Sequence, residues 1–120
     1  MSDHNELGKL GEIAAANFLK NNGYSILKRN WKFKKAELDI IAVKDDKIIV
    51  TEVKTRGEDY LIDPIKAITM GKQKQIVKAA NAYIQENELD NEVRFDVITV
   101  VFNQSKPEIN HIQDAFYATL

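Results

Sequence analysis

Two apolar runs, ELDIIAVK at 37–44 and KIIVTEVK at 47–54, are separated only by Asp45 and Asp46. Each is rich in the β-branched residues that suit a pleated surface, and each is apolar on both faces. Such strands need cover on both sides, so the pair demands a central sheet with helices above and below. The remaining chain supplies them. Leu7, Leu10, Ala14, Phe18 and Leu19 recur at three- and four-residue steps and predict a helix over 5–22, capped by Asp3 and Glu6 and stopped by Gly23. Gly8 and Gly11 weaken that helix by up to about 1 kcal/mol each against alanine, which points to a close approach by another segment. A second helix is expected over 69–87, burying Ile76, Val77, Ala80, Tyr83 and Ile84. YSILKRNW before the opening pair and VRFDVITVVF after the second helix read as strands, and a weaker one follows Pro107. The stretch TRGEDYLIDP reads as loop. The order is α-β-β-β-α-β, with one more strand at the end.

At 120 residues the chain has the size of one domain spanning 1–120 and can bury a real core. With 44% hydrophobic and 29% charged residues it has the composition of a folded globular protein. Cysteine is absent, which excludes disulfides, thiolate metal sites and a cysteine nucleophile. No apolar run approaches a membrane span and the N-terminus lacks the pattern of a secretory signal, so the expected location is the cytoplasm, with no membrane partner.

The charges among the apolar runs need a use. If Asp45 and Asp46 form a two-residue hairpin loop, opposed residues have numbers summing to 91. Asp39 then faces Glu52, Glu37 faces Lys54, and all four share the face of Ile41, Val43, Ile48 and Val50. Directly opposed side chains have Cβ atoms roughly 4.5 to 5.5 Å apart, where like charges destabilise. A hard divalent cation offsets that repulsion, and Mg²⁺ is typically held by one or two carboxylates together with substrate phosphates. With Lys54 beside it, this is the layout of phosphodiester hydrolysis: a cation that activates water, and an ammonium that meets developing negative charge. A three-residue loop would put Glu52 on the other face from Asp39.

Net charge is only −1, yet KRNWKFKK at 28–35 gathers Lys28, Arg29, Lys32, Lys34 and Lys35 without an acid, and Trp31 and Phe33 lie between them. Such a segment can track a phosphate backbone. Lys72, Lys74 and Lys78 crowd the start of the second helix, where cations oppose the helix dipole and a phosphate would reverse that cost. Arg56, just after the third strand, can grip a phosphate or pair with Glu58 or Asp59. Asp96, in an apolar strand, calls for a buried partner such as Arg94 or a backbone amide. His4 and His111 stand far apart in sequence and support no histidine-based site.

GKLGEIAAANFL, AELDIIA, TEVKTR and RFDVITV, in this order, resemble the YraN family of small bacterial proteins, which is placed by similarity in the PD-(D/E)xK nuclease superfamily, near archaeal Holliday junction resolvases. The resemblance runs from about Leu7 to Val101. It implies a restriction-endonuclease-like core, αβββαβ, with a mixed central sheet flanked by helices. It also implies that Asp39 and Glu52 bind Mg²⁺ or Mn²⁺, that Lys54 is the catalytic lysine, and that Glu12 is the further acid of resolvase-like members. Ala36 replaces the family's usual glycine, and Leu38 stands where the superfamily's proline would be.

The expectation is an endonuclease acting on DNA, branched DNA included, with Lys32, Lys34, Lys35, Arg56, Lys72 and Lys74 on the nucleic acid. Cutting both strands of a symmetric junction would favour a homodimer. The rival expectation is a nucleic-acid-binding module that keeps the fold without cleaving, and a third is a scaffold that binds no nucleic acid.

Overall fold

The computed structural model describes residues 6–57, 68–103 and 106–118. Its elements run α1 (Glu6–Asn21), β1 (Ser25–Phe33), β2 (Ala36–Lys44), β3 (Lys47–Gly57), α2 (Met70–Glu86), β4 (Val93–Phe102) and β5 (Pro107–Phe116). The strands form one sheet in chain order. All neighbours are antiparallel except β3 and β4, which are parallel and joined through α2. This mixed sheet with a helix on each face is an α/β fold compatible with a restriction-endonuclease-like core. The cap expected at Asp3, residues 58–64 of the expected loop and the pairing of Arg56 with Glu58 or Asp59 lie outside the described residues, whereas Thr55, Arg56 and Gly57, read as the start of that loop, continue β3 in its ladder with β4.

Both buried layers follow from the double-faced strands. On one side Ile41, Ile48 and Val50 pack with Ile76, Val77, Ala80 and Tyr83 of α2, with Val43 and Ile84 against them. That is the stripe the sequence predicts. On the other side Ile40, Ala42, Ile49 and Val53 pack with Ala15, Ala16 and Leu19 of α1. Thr69 caps α2, its hydroxyl accepting from Lys72 N at 3.1 Å.

The buried face of α1 differs from the expected one. Leu7 and Leu10 are 37% and 49% exposed, whereas Gly8, Gly11, Glu12, Ala15, Ala16 and Leu19 are buried. The reason is proximity. A Cβ on Gly11 would overlap the Thr55 side chain of β3, so the helix lies too close to the sheet for large residues at its first turns. Gly11→Ala is therefore expected to destabilise by about 1–2 kcal/mol, overpacking outweighing the gain in helix propensity. Urea unfolding measures it, and Thr55→Ala should recover part of the loss.

Candidate active site

The β2–β3 hairpin turns through Asp45 (φ 51°) and Asp46 (φ 65°), the two positive values that a two-residue type I′ loop requires. Its register follows from that loop: Lys44 pairs with Lys47 and Ile40 with Thr51, every pair summing to 91. Beyond Ile40 and Thr51 the two strands part. Leu38, Glu37 and Ala36 pair with Trp31, Lys32 and Phe33 of β1, while Glu52 through Gly57 pair with β4. The expected oppositions of Asp39 to Glu52 and of Glu37 to Lys54 are both absent from the ladder, because β2 has turned to β1 alone and Glu52 onward to β4.

At the crotch of this fork the carboxylates replace the missing ladder bonds. Asp39 Oδ2 accepts from Val53 N at 2.8 Å, and Glu52 Oε2 accepts from Asp39 N at 3.3 Å. Each acid thus reaches across to the other's strand. Strand alternation slips here too. Leu38 lies with Ile41 in the α2-side core, while Ile40, between them in sequence, lies in the α1-side core. Asn30, which falls beside Asp39 in the β1–β2 register, takes a left-handed φ of 53°, a conformation asparagine tolerates better than most residues.

Asp39, Glu52 and Lys54 are all buried. Burial raises the Glu52 pKa well above the ordinary carboxylate range and Asp39 raises it further; Lys72 and Lys54 pull it down without cancelling the rise. Glu52 Oε1 is buried and accepts no hydrogen bond. The Lys72 ammonium is 3.9 Å from it.

Lys72, expected on phosphate, therefore points into the fork from the first turn of α2. Lys32, Lys34, Lys35 and Lys74 are exposed. Arg56 is half-buried, and its Nη1 donates to Thr55 O at 2.8 Å. Glu12 is buried on the α1 side of the sheet. Its Oε1 accepts from Asn30 Nδ2 at 2.8 Å, with Arg29 Nη2 at 3.9 Å. It stands over β1, one strand from Asp39. Among the described residues no three Asp, Glu, His or Cys side chains gather into a metal-holding group, so Glu12 is not joined to the Asp39–Glu52 pair in this conformation.

A second buried carboxylate has a different environment. Asp96 on β4 receives Arg94 Nε and Nη2 at 2.9 and 2.8 Å, Asp114 N at 3.1 Å, and lies 2.7 Å from His111 Nε2. Tyr24 Oη accepts from Arg94 at 2.7 Å. Burial alone would raise the Asp96 pKa, but His111, Arg94 and the Asp114 amide outweigh it and hold the carboxyl below the ordinary range. Arg94 is raised in turn, first by its bonds to Asp96. The sequence signalled Arg94 and an amide. It gave no sign of His111, which β5 delivers by pairing with Ile98, and whose ring meets Phe18 and Tyr24 edge-on.

The chain is thus a mixed five-stranded α/β protein in which Asp39 and Glu52 meet at a fork in the sheet. Residues 11–100 match the model of the uncharacterised protein family UPF0102, and the chain belongs to this family, the YraN-like proteins its motifs resemble. It is 46% identical over 118 residues to a UPF0102 protein of Parabacteroides distasonis, covering 98% of both chains. It is 45% identical over 117 residues to one of Flavobacterium psychrophilum, with the same coverage, and 44% identical over 120 residues to one of Bacteroides thetaiotaomicron, covering 100% of this chain and 99% of the relative. No helix among the described residues is long and apolar enough to cross a membrane.

Proposed function

We propose that the chain is a divalent-metal-dependent endonuclease of the PD-(D/E)xK type, hydrolysing phosphodiester bonds of DNA, branched DNA included, in the cytoplasm. The observation that carries this reading is the fork itself: two carboxylate side chains, Asp39 and Glu52, buried against each other within the sheet, with Lys54 alongside. Such an arrangement costs stability, and a hard cation offsets the cost.

The residues fit that cation. The donors are all oxygen, and Glu52 Oε1 is buried without a hydrogen bond. Asp39 and Glu52 would hold Mg²⁺ or Mn²⁺, which would supply Lewis-acid activation of water and neutralise charge on the scissile phosphate. The protein's own part is positioning. The Val53 amide fixes one oxygen of Asp39 and the Asp39 amide one oxygen of Glu52, so neither carboxylate needs reordering when substrate arrives. The Lys54 ammonium supports negative charge gathering on the phosphate. In the reaction the water oxygen bonds to phosphorus, the ester P–O bond breaks, and the departing oxygen leaves as an alcohol with one of the water's protons. Lys32, Lys34, Lys35, Lys74 and Arg56 would take up flanking phosphates.

Labelled linear, flapped and four-way DNA incubated with Mg²⁺ or Mn²⁺ tests the reading. Cleavage that disappears with chelator supports it, and no cleavage of any substrate refutes it.

A second reading draws on Lys72. Its ammonium near Glu52 Oε1 already opposes part of the buried charge, as a non-catalytic nucleic-acid-binding module would need. That module predicts salt-sensitive binding which survives chelator and loss of Asp39, but falls when Lys32, Lys34 and Lys35 are neutralised.

A further inference from the structure

Away from the fork, a cleft of about 300 Å³ opens between the β1–β2 turn and α2, lined by Phe33, Lys34, Lys35, Ala36, Gln75 and Lys78. Three of those six residues are lysines, yet the walls are almost wholly apolar. The methylene stems of the lysines therefore form wall, as long cationic side chains do when their charged heads remain in water. Lys34, Lys35 and Lys78 are all exposed. The floor is braced, for the Phe33 ring lies parallel to Trp31 at 6.3 Å and Trp31 meets Tyr83 edge-on at 5.2 Å.

An apolar slot beside an aromatic ring and rimmed by ammonium groups matches a flat, uncharged body carrying an anionic tail. A nucleotide has that form. Paired bases are already stacked inside a duplex, so only an unpaired one can enter. We infer that this cleft seats an unpaired base of a nucleic-acid strand, with the ring packed toward Phe33 and the adjoining phosphates met by Lys34, Lys35 and Lys78. The inference rests on the reading of the chain as a nucleic-acid-binding protein, and narrows its substrate class to DNA with single-stranded or branched character.

Three details support this occupant. Lys34 Nζ lies 5.3 Å over the Phe33 ring, an exposed cation–π contact weak enough for a base to displace while the ammonium moves to the phosphate. Gln75 offers both a donor and an acceptor to a base edge. Lys78 is also six residues from Lys72 on α2, roughly 9 Å along the helix axis, and Lys72 reaches Glu52. One strand could thus engage the cleft and the fork together.

Fluorescence anisotropy in chelator, where cleavage is suppressed, tests it with three labelled probes: an intact duplex, the same duplex with a short single-stranded gap, and the gapped duplex with abasic sites in the gap. The gapped probe is expected to bind about tenfold more tightly than the other two, the range of one stacked base. Phe33→Leu, which keeps bulk but loses the aromatic face, should erase the difference between gapped and intact probes. Gln75→Tyr should erase it by plugging the cleft from an exposed helix position, and it decides the matter should Phe33→Leu fail to fold. Equal affinity for all three probes would overturn the base cleft and leave nucleic-acid binding standing. No affinity for any probe would overturn both. Adenosine monophosphate binding as tightly as the gapped probe would overturn the assignment to a strand.

Discussion

Asp39→Asn is expected to lower Mg²⁺-dependent cleavage by on the order of 10³-fold, comparable to removing a principal electrostatic group from an active site, while raising the melting temperature of the metal-free protein. The two effects have one origin. The amide is isosteric and its oxygen can still accept from Val53 N, so the fork keeps its geometry. What disappears is a negative charge that Glu52 feels directly. Relieving that repulsion should return about 1 kcal/mol, or a few degrees in melting temperature. Mg²⁺ should stabilise the wild type in proportion to the logarithm of its concentration above the dissociation constant, and this increment should shrink or vanish in the variant. Scanning calorimetry with and without Mg²⁺, alongside a cleavage assay, measures all three. A variant that is less stable without metal, or that keeps full activity, would contradict the assignment of Asp39.

Asp96→Ala is expected to have the opposite signature, a loss of about 3–5 kcal/mol, because it strands Arg94 and His111 in a buried site built around their common partner. Asp96→Asn should lose less, since it can still accept a hydrogen bond. The pH dependence distinguishes this carboxylate from a neutral structural group. Its folded-state pKa lies below the unfolded value of 3.8, so the folded protein holds the ionised form more readily than the unfolded chain does. Its contribution is complete above the unfolded pKa and disappears as pH falls through the lower, folded one. Denaturant unfolding of wild type and Asp96→Asn should therefore show a constant gap from pH 7 down to about 5, then convergence below the unfolded pKa. A gap independent of pH would mean that shape, and not charge, is what Asp96 contributes.

The hairpin register was readable because it depends on one local quantity, loop length, and Asp45 and Asp46 take the left-handed conformations that a two-residue loop demands. The α2 stripe was readable because large apolar residues repeat at helical spacing. Helix α1 misled for the complementary reason. Leu19 of the expected set is buried, but most of the remaining buried face is Gly8, Gly11, Ala15 and Ala16, small residues that stand out little in the sequence, while the conspicuous Leu7 and Leu10 are exposed. At the fork, period-two reasoning brings Asp39 to Glu52 but cannot foresee the slip in alternation that sends Leu38 to the side of Ile41 and Glu37 toward Lys32. Lys72 and His111 were hidden because their partners lie on other elements, and no spacing along one segment encodes a meeting between α2 and β3 or between β5 and β4.

Because β2 leaves β3 at Ile40, the ladder between the β1–β2 ribbon and the β3–β4–β5 body consists of the five pairs from Ile40–Thr51 to Lys44–Lys47. Asp39 travels with the ribbon, as do Phe33, Lys34 and Lys35, while Glu52 and Lys54 travel with the body. Past the last ladder pair the two limbs are tied by their own acids, the Val53 amide bonded to Asp39 and the Asp39 amide to Glu52. The pair that would hold the cation is thus also the clasp of the sheet.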